Sequence, residues 1–399
     1  MNNTIKLAVA SALLAAASSA NAGIMIPAGD WTLDIGGVVN AYYTSTRQSG
    51  DFTNLSGSVL GGSNTGDVKT SSNITTGLLP NYLSVSGKTR QNDLDVGFTI
   101  SINPGASTTN SGIQSANQEN RQAFVTFGDA SWGSIKLGKD LGIYASDAIL
   151  NDMTLLGVGS GAGILAGNTT TLGRIGTGFM YADWKSQIAY SSPNWNGFSF
   201  TAGVTQSWGP DTAGGLNSNH DNIGAGRRGG SEPAFEAKAS YAWAGDFAGK
   251  VWVSGITQNV ELGAFGDDRA NAWDIGANVN VAGFGLTGYY GQGEGTGTTV
   301  LFAGGYDAAG KAQDSDDWYL QATYTLPGVG TKLGARYGES TLDLNSGGEV
   351  SNEMWAIGAY HPLTKHLNLV AEYADQKAKA TGAEDGKAKT VSLGAILFF

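Results

Sequence analysis

Along most of the chain apolar and polar residues alternate at every second position, the period of a strand with two unlike faces. Leu94–Asn103 shows it most cleanly. Leu94, Val96, Phe98, Ile100 and Ile102 share one face, and Asp95, Gly97, Thr99, Ser101 and Asn103 the other. Phe235–Trp243 repeats the pattern with Phe235, Ala237, Ala239, Tyr241 and Trp243 opposite Glu236, Lys238 and Ser240. Sixteen strands are predicted this way: Trp31–Tyr43, Tyr82–Arg90, Leu94–Asn103, Arg121–Gly128, Ser134–Asp140, Trp184–Ser192, Phe198–Trp208, Phe235–Trp243, Lys250–Thr257, Trp273–Val281, Phe284–Gln292, Trp318–Leu326, Lys332–Gly338, Trp355–His361, Leu367–Asp375 and Val391–Phe399. The parity of Arg121–Gly128 is ambiguous, because both of its faces are partly apolar.

One stretch breaks the rule. Leu141–Asp183 is rich in Gly, Thr and aliphatic residues and has no alternation of strand length. A connection this long inside a regular β protein is either a mis-assigned element or a functional loop, and it is expected here as a loop folded into the barrel, where it sets the size and charge of a pore. The other connections alternate between long loops, rich in Gly, Ser, Asn, Thr and Asp, and short turns such as Asp129–Gly133, Pro193–Gly197 and Ala282–Gly283. That alternation fits an up-and-down barrel with an even strand number and both termini on the short-turn side. A soluble sandwich does not sort its connections by length.

Charge tells which face points where. The polar faces carry Asp34, Lys88, Arg90, Asp95, Lys185, Glu236, Lys238, Asp274, Lys332, Arg336 and Glu372. In lipid the pattern reads apolar-out and polar-in, around a wet lumen. Aromatic residues gather beside the short turns (Trp132, Trp195, Phe198, Trp243, Phe247, Phe284, Phe398 and Phe399), where an interfacial girdle belongs. The fold class expected is all-β, a 16-stranded antiparallel transmembrane barrel. Such a barrel is wide enough to keep an aqueous channel.

Composition narrows the setting. Residues 1–22 carry one charge, Lys6, a short apolar run and the small-x-small triplet Ala20-Asn21-Ala22; they read as a signal peptide removed after Ala22. Residues 23–399 then form one domain. The net charge of −11 argues against a nucleic-acid partner. There is no cysteine, and His220, His361 and His366 lack ligand spacing, so neither metal nor other cofactor is expected. No Gly-x-Ser-x-Gly elbow occurs. Gly224–Gly229 matches a dinucleotide-binding pattern by letter only, outside any βαβ unit. No enzyme is indicated.

At this point the chain resembles the general trimeric diffusion porins of Gram-negative outer membranes. The resemblance rests on Asn120-Arg121-Gln122-Ala123-Phe124-Val125, Trp132-Gly133-Ser134-Ile135-Lys136-Leu137-Gly138, Gly173-Arg174-Ile175-Gly176, and Ile188–Phe198. The ending Ile396-Leu397-Phe398-Phe399 resembles the signal read by the outer-membrane insertion machinery. The resemblance implies a homotrimer, contact with outer-membrane lipid and lipopolysaccharide, and a third outer loop folded into the lumen opposite basic wall residues. By position it makes Arg121 and Arg174 wall arginines and Asp152 an acidic loop residue, with Asp147 beside it in the constriction. Tyr82 stands where the family often has another wall arginine, and Thr154-Leu155-Leu156-Gly157 replaces its usual Pro-Glu-Phe-Gly-Gly tip. Lys88, Arg90, Lys136 and Lys139 are further lumen-lining candidates.

Each residue has a second reading. Asp147 and Asp152 also suit caps for backbone amides inside the loop, and Arg174 a salt bridge that pins the loop to the wall. The function expected is passive diffusion of small hydrophilic solutes and ions. An anion- or substrate-selective porin and a surface-exposed adhesion barrel are the alternatives.

Overall fold

A computed structural model of the chain describes residues 23–50, 69–107, 118–161, 170–208, 232–262, 265–299 and 304–399. The expected signal peptide and most of the first outer loop lie outside the described residues, as does His220.

Strand β1 (Ile24–Ala28) doubles back on β2 (Trp31–Gly50), which also carries the short β3 (Thr70–Thr75). There follow β4 (Tyr82–Gln91), β5 (Leu94–Asn103), β6 (Glu119–Asp129), β7 (Gly133–Leu141), β8 (Trp184–Ser191), β9 (Phe198–Thr205), β10 (Ala234–Trp243), β11 (Phe247–Glu261) and β12 (Asp267–Val281). The series ends with β13 (Phe284–Glu294), β14 (Asp314–Thr325), β15 (Lys332–Asp343), β16 (Glu349–Pro362), β17 (Leu367–Ala380) and β18 (Gly386–Phe398). Every pairing between these strands is antiparallel. Setting aside β1 and β3, sixteen strands close into a barrel when β18 pairs with β2, from Phe398 opposite Val38 to Gly386 opposite Gly50. Closure leaves no open edge, which hydrocarbon could not solvate.

The strand cores lie where the alternation put them, but many ends do not. β11 runs on to Glu261, β15 to Asp343 and β17 to Ala380, so three connections expected as long loops are hairpins with short tips. Beyond the apolar band both faces of a strand are wet. The alternation fades there while the backbone ladder continues. β1 and β3 were not expected at all, and β9 stops at Thr205 short of the expected Trp208.

Two of the short turns carry their own explanation. Asn92–Asp93 and Ala282–Gly283 have positive φ at both central residues, the type I′ geometry whose twist matches flanking strands. Aromatic rings stack beside the short turns, Trp195 on Phe198 and Trp243 on Phe247, with Phe284 against Tyr324 at 4.3 Å.

Directly opposed residues share a face, so the register assigns each side chain. Followed around the ladder, all eleven charged residues listed for the polar faces fall on one face. The other face carries exposed apolar residues, among them Ile275, Leu286, Leu320, Ile357 and Leu393. The polar face is not uniformly polar. Trp252, Ile256, Tyr289, Tyr319, Tyr360 and Val370 lie on it, buried in one apolar cluster with Tyr144, Ile149, Leu155, Leu172, Phe179 and Met180 of the Leu141–Asp183 segment.

Candidate functional site

The segment between β7 and β8 is bound to the charged face of the wall along its length. At its start, the N–H groups of Ile143 and Tyr144 donate to Glu236 Oε2 at 2.7 and 2.8 Å. Glu236 Oε1 meets Lys185 Nζ at 2.6 Å and accepts the Thr205 hydroxyl at 2.7 Å, so the carboxylate is fully occupied. Ala145, in a left-handed conformation, donates to Ser254 Oγ at 3.1 Å and leads into a short helix, Ser146–Leu150.

Asp147 in that helix is ion-paired to Lys250 and lies 3.3 Å from Lys238 Nζ. Asp152 accepts the Thr154 N–H at 3.0 Å as the cap of the 3-10 turn Met153–Leu156, and is ion-paired to Arg336 of β15. Asp152 thus caps a backbone amide as expected and also makes the wall salt bridge expected of Arg174, while the side chain of Asp147 is held by lysines.

Further along, Val158 and Gly159 donate N–H groups to Glu372 Oε2, each at 2.8 Å, and Tyr360 donates its hydroxyl to Oε1 at 2.6 Å. Arg174 donates to the carbonyls of Thr177 and Met354 at 2.8 and 3.1 Å, with its guanidinium 5.7 Å over the Tyr319 ring. Its anchor on the wall is a backbone carbonyl and an aromatic face, not a carboxylate. Gly178 N–H reaches Ser340 Oγ at 2.9 Å.

Arg121 is set by a β-bulge. Ser101 opposes Gln122 but Asn103 opposes Glu119, so β6 carries one residue more than its partner at Asn120–Arg121. Past the bulge, Gln122, Phe124 and Thr126 share the polar parity, which settles the ambiguous face. Arg121 donates to Glu119 at 2.6 Å and lies 3.4 Å from Thr170 of the folded segment.

Arg121, Asp147, Asp152 and Arg174 are thus buried, between 0 and 6% exposed. They come together with the segment, and each is occupied in holding it. The other candidates scatter. Lys88 is exposed on the polar face. Arg90 is exposed at the Asn92–Asp93 turn, bonded to Asp95 and Asp129 at 2.9 and 2.8 Å. Lys136 is on the polar face, paired with Asp140. Lys139 opposes Ala123 and Ser186 and shares the face of Leu137 and Ile135, away from Lys136. Tyr82 lies beside the buried apolar cluster.

Lys238, Lys250 and Arg336 are among the residues that hold the segment without having been singled out as site members. Two of them were on the polar-face list. What they lacked was a local signal for their partners, which lie 103 residues away for Lys250 and 184 for Arg336. Lys238, Lys250 and Lys136 keep side-chain exposures of 25, 30 and 23%, whereas their acidic partners Asp147 and Asp140 keep only 4 and 11%. The water-facing charge of these clusters is therefore basic.

Residues 8–381 match the family model described as Gram-negative porin. No curated protein sequence matches the chain. The fold is similar to the outer membrane channel DcaP of Acinetobacter baumannii, with 16% identity, TM-score 0.66, and coverage of 94% of this chain and 99% of that one. It is similar to an anion-selective porin from Comamonas acidovorans, with 15% identity, TM-score 0.61, and coverage of 92% and 100%. A trimer form of OmpT from Vibrio cholerae matches with 15% identity, TM-score 0.53, and coverage of 92% and 99%.

Proposed function

The chain belongs to the Gram-negative porin family, and on that premise we propose that Leu141–Asp183 sets the gauge of its pore. The protein is an outer-membrane channel for passive diffusion of small hydrophilic solutes. In our reading residues 23–399 form one barrel domain after loss of residues 1–22, with lipid and lipopolysaccharide against its apolar face and no catalytic step.

One observation carries the proposal. The segment hydrogen-bonds in turn to side chains of β10, β11, β14, β15 and β17, all on the charged face of a closed barrel. A chain so attached occupies lumen cross-section, and passage narrows accordingly. Asp147, Asp152 and Arg174 act as its fasteners, and Arg121 joins its far end to β6. Replacing residues 158–176 by a short glycine-serine linker should raise single-channel conductance in planar bilayers and admit larger sugars in liposome swelling; unchanged size exclusion would defeat the reading.

A second reading concerns sign. The half-exposed Lys136, Lys238 and Lys250, set against acids withdrawn from water, favour anions, since rings of side-chain charge bias permeation. A reversal potential under a salt gradient decides it. We also propose a homotrimer, consistent with the trimer form of the similar OmpT. Native mass spectrometry in detergent would expose a monomer.

A further inference from the structure

Two carboxylates on the inner wall are buried without an ion pair among the described residues: Asp274 of β12, 0% exposed, and Asp317 of β14, 3% exposed. Asp274 Oδ1 accepts the Ser254 hydroxyl at 2.7 Å, and its Oδ2 has no hydrogen-bond partner. Asp317 is bonded by the Ser340 hydroxyl, and its Oδ1 has no partner.

The register puts the two acids in one row. Gly291 of β13 opposes Asp274 on one side and Asp317 on the other. The space a side chain would take at Gly291 holds instead the phenol oxygen of Tyr289, 2.7 Å from the position of a β-carbon there. Tyr289 is 4% exposed and its hydroxyl has no partner either. Three buried oxygens without hydrogen-bond partners therefore belong to residues gathered around one glycine.

Uncompensated buried charge is costly, and the basic groups nearby are already committed. Lys238, opposite Ser254 in the same row, and Lys250 are paired with Asp147. Lys185 is paired with Glu236 and Arg336 with Asp152. Arg174 donates to carbonyls. Residues two strands apart in a sheet are roughly 9.6 Å apart. Two carboxylates that straddle a calcium ion hold their oxygens about 5 Å apart, a gap two aspartate side chains can close from that distance.

We propose that Asp274, Tyr289 and Asp317 bind one hard divalent cation of the calcium class behind the folded segment. Only two carboxylates contribute, so neutral oxygens and water complete the shell, as such ions accept. The cation also acts on the segment. Ser254 donates to Asp274 and accepts the Ala145 N–H; Ser340 donates to Asp317 and accepts the Gly178 N–H. The two serines thus link the carboxylates to both ends of the segment, and an ion that fixes the carboxylates fastens both. The site stands whether or not that segment is the narrowest part of the pore.

The test is equilibrium dialysis of the purified full-length protein in detergent, stripped with EDTA and titrated with calcium chloride. Asp274→Asn/Asp317→Asn and Tyr289→Phe variants run beside it, each checked for barrel structure by circular dichroism. The wild type should bind one calcium ion per chain more than the double variant, and Tyr289→Phe should weaken that site. Equal stoichiometry in the wild type and the folded double variant overturns the proposal, since the ions are then adventitious. If the double variant does not fold, unchanged affinity in Tyr289→Phe overturns it. A carboxylic-acid infrared band at neutral pH that survives calcium and disappears on Asp274→Asn would also overturn it, because protons would then neutralise the pair.

Discussion

Asp152 in the folded segment and Arg336 on β15 form an ion pair with both side chains wholly withdrawn from solvent, at 0% exposure each. Breaking a buried pair on one side strands the other charge and costs about 3–5 kcal/mol. Asp152→Ala should therefore loosen the segment while the barrel, closed by its own ladder, persists. Single-channel recordings should show larger or unsteady conductance steps. Substituting both residues with apolar side chains of similar volume should recover steadier steps than Asp152→Ala alone.

Lys238→Gln with Lys250→Gln removes two half-exposed positive charges and leaves Asp147 unpaired. Both effects move the lumen toward negative potential. The reversal potential in a salt gradient should shift toward cations, most clearly at low ionic strength, where screening is weak. An unmoved potential would show that these lysines lie off the permeation path.

Glu372→Ala leaves the Val158 and Gly159 N–H groups without their acceptor in a buried place. Each buried unpaired donor costs about 1–3 kcal/mol. Hydrogen exchange in residues 153–161 should accelerate, with little change in β16 or β18.

Asp307 lies outside the barrel wall, between β13 and β14. The Lys311 N–H, foremost, with the Asn345 side chain and the Ala309 N–H, holds its carboxyl below the usual carboxylate range. A depressed carboxyl stabilises its loop above the unfolded value of about 3.9 and loses that contribution as pH falls through the folded value. The loop should be ordered at neutral pH and loosen in acid below about pH 4. Comparing its proteolysis with that of Asp307→Ala across that range checks this: the two should converge in acid.

At the seam, Phe399 and Gly37 exchange backbone hydrogen bonds at 2.7 and 3.1 Å. A β-carbon at position 37 would meet the Tyr82 carbonyl at 2.3 Å and the Phe399 ring at 2.7 Å. Gly37→Val should disturb closure between β18 and β2, seen as a lower unfolding temperature and less folded protein recovered from refolding.

The alternation in Leu94–Asn103 or Phe235–Trp243 is enough to place a strand and choose its wet face, because side-chain direction in a strand is a local consequence of the pleat. The failure of Leu141–Asp183 to alternate likewise needed no coordinates, whereas three connections that read as long loops proved to be strand extensions with short tips. Partners could not be read this way. Asp152 to Arg336 and Asp147 to Lys250 depend on the register accumulated around a closed ladder, which no local pattern carries. Nor did the pattern reveal that Tyr289, Tyr319 and Trp252, aromatic residues on the polar parity, pack against the folded segment. Period two tells which side of the sheet a residue occupies; whether water or protein lies against it depends on packing between residues far apart in the chain, and that only the tertiary structure decided.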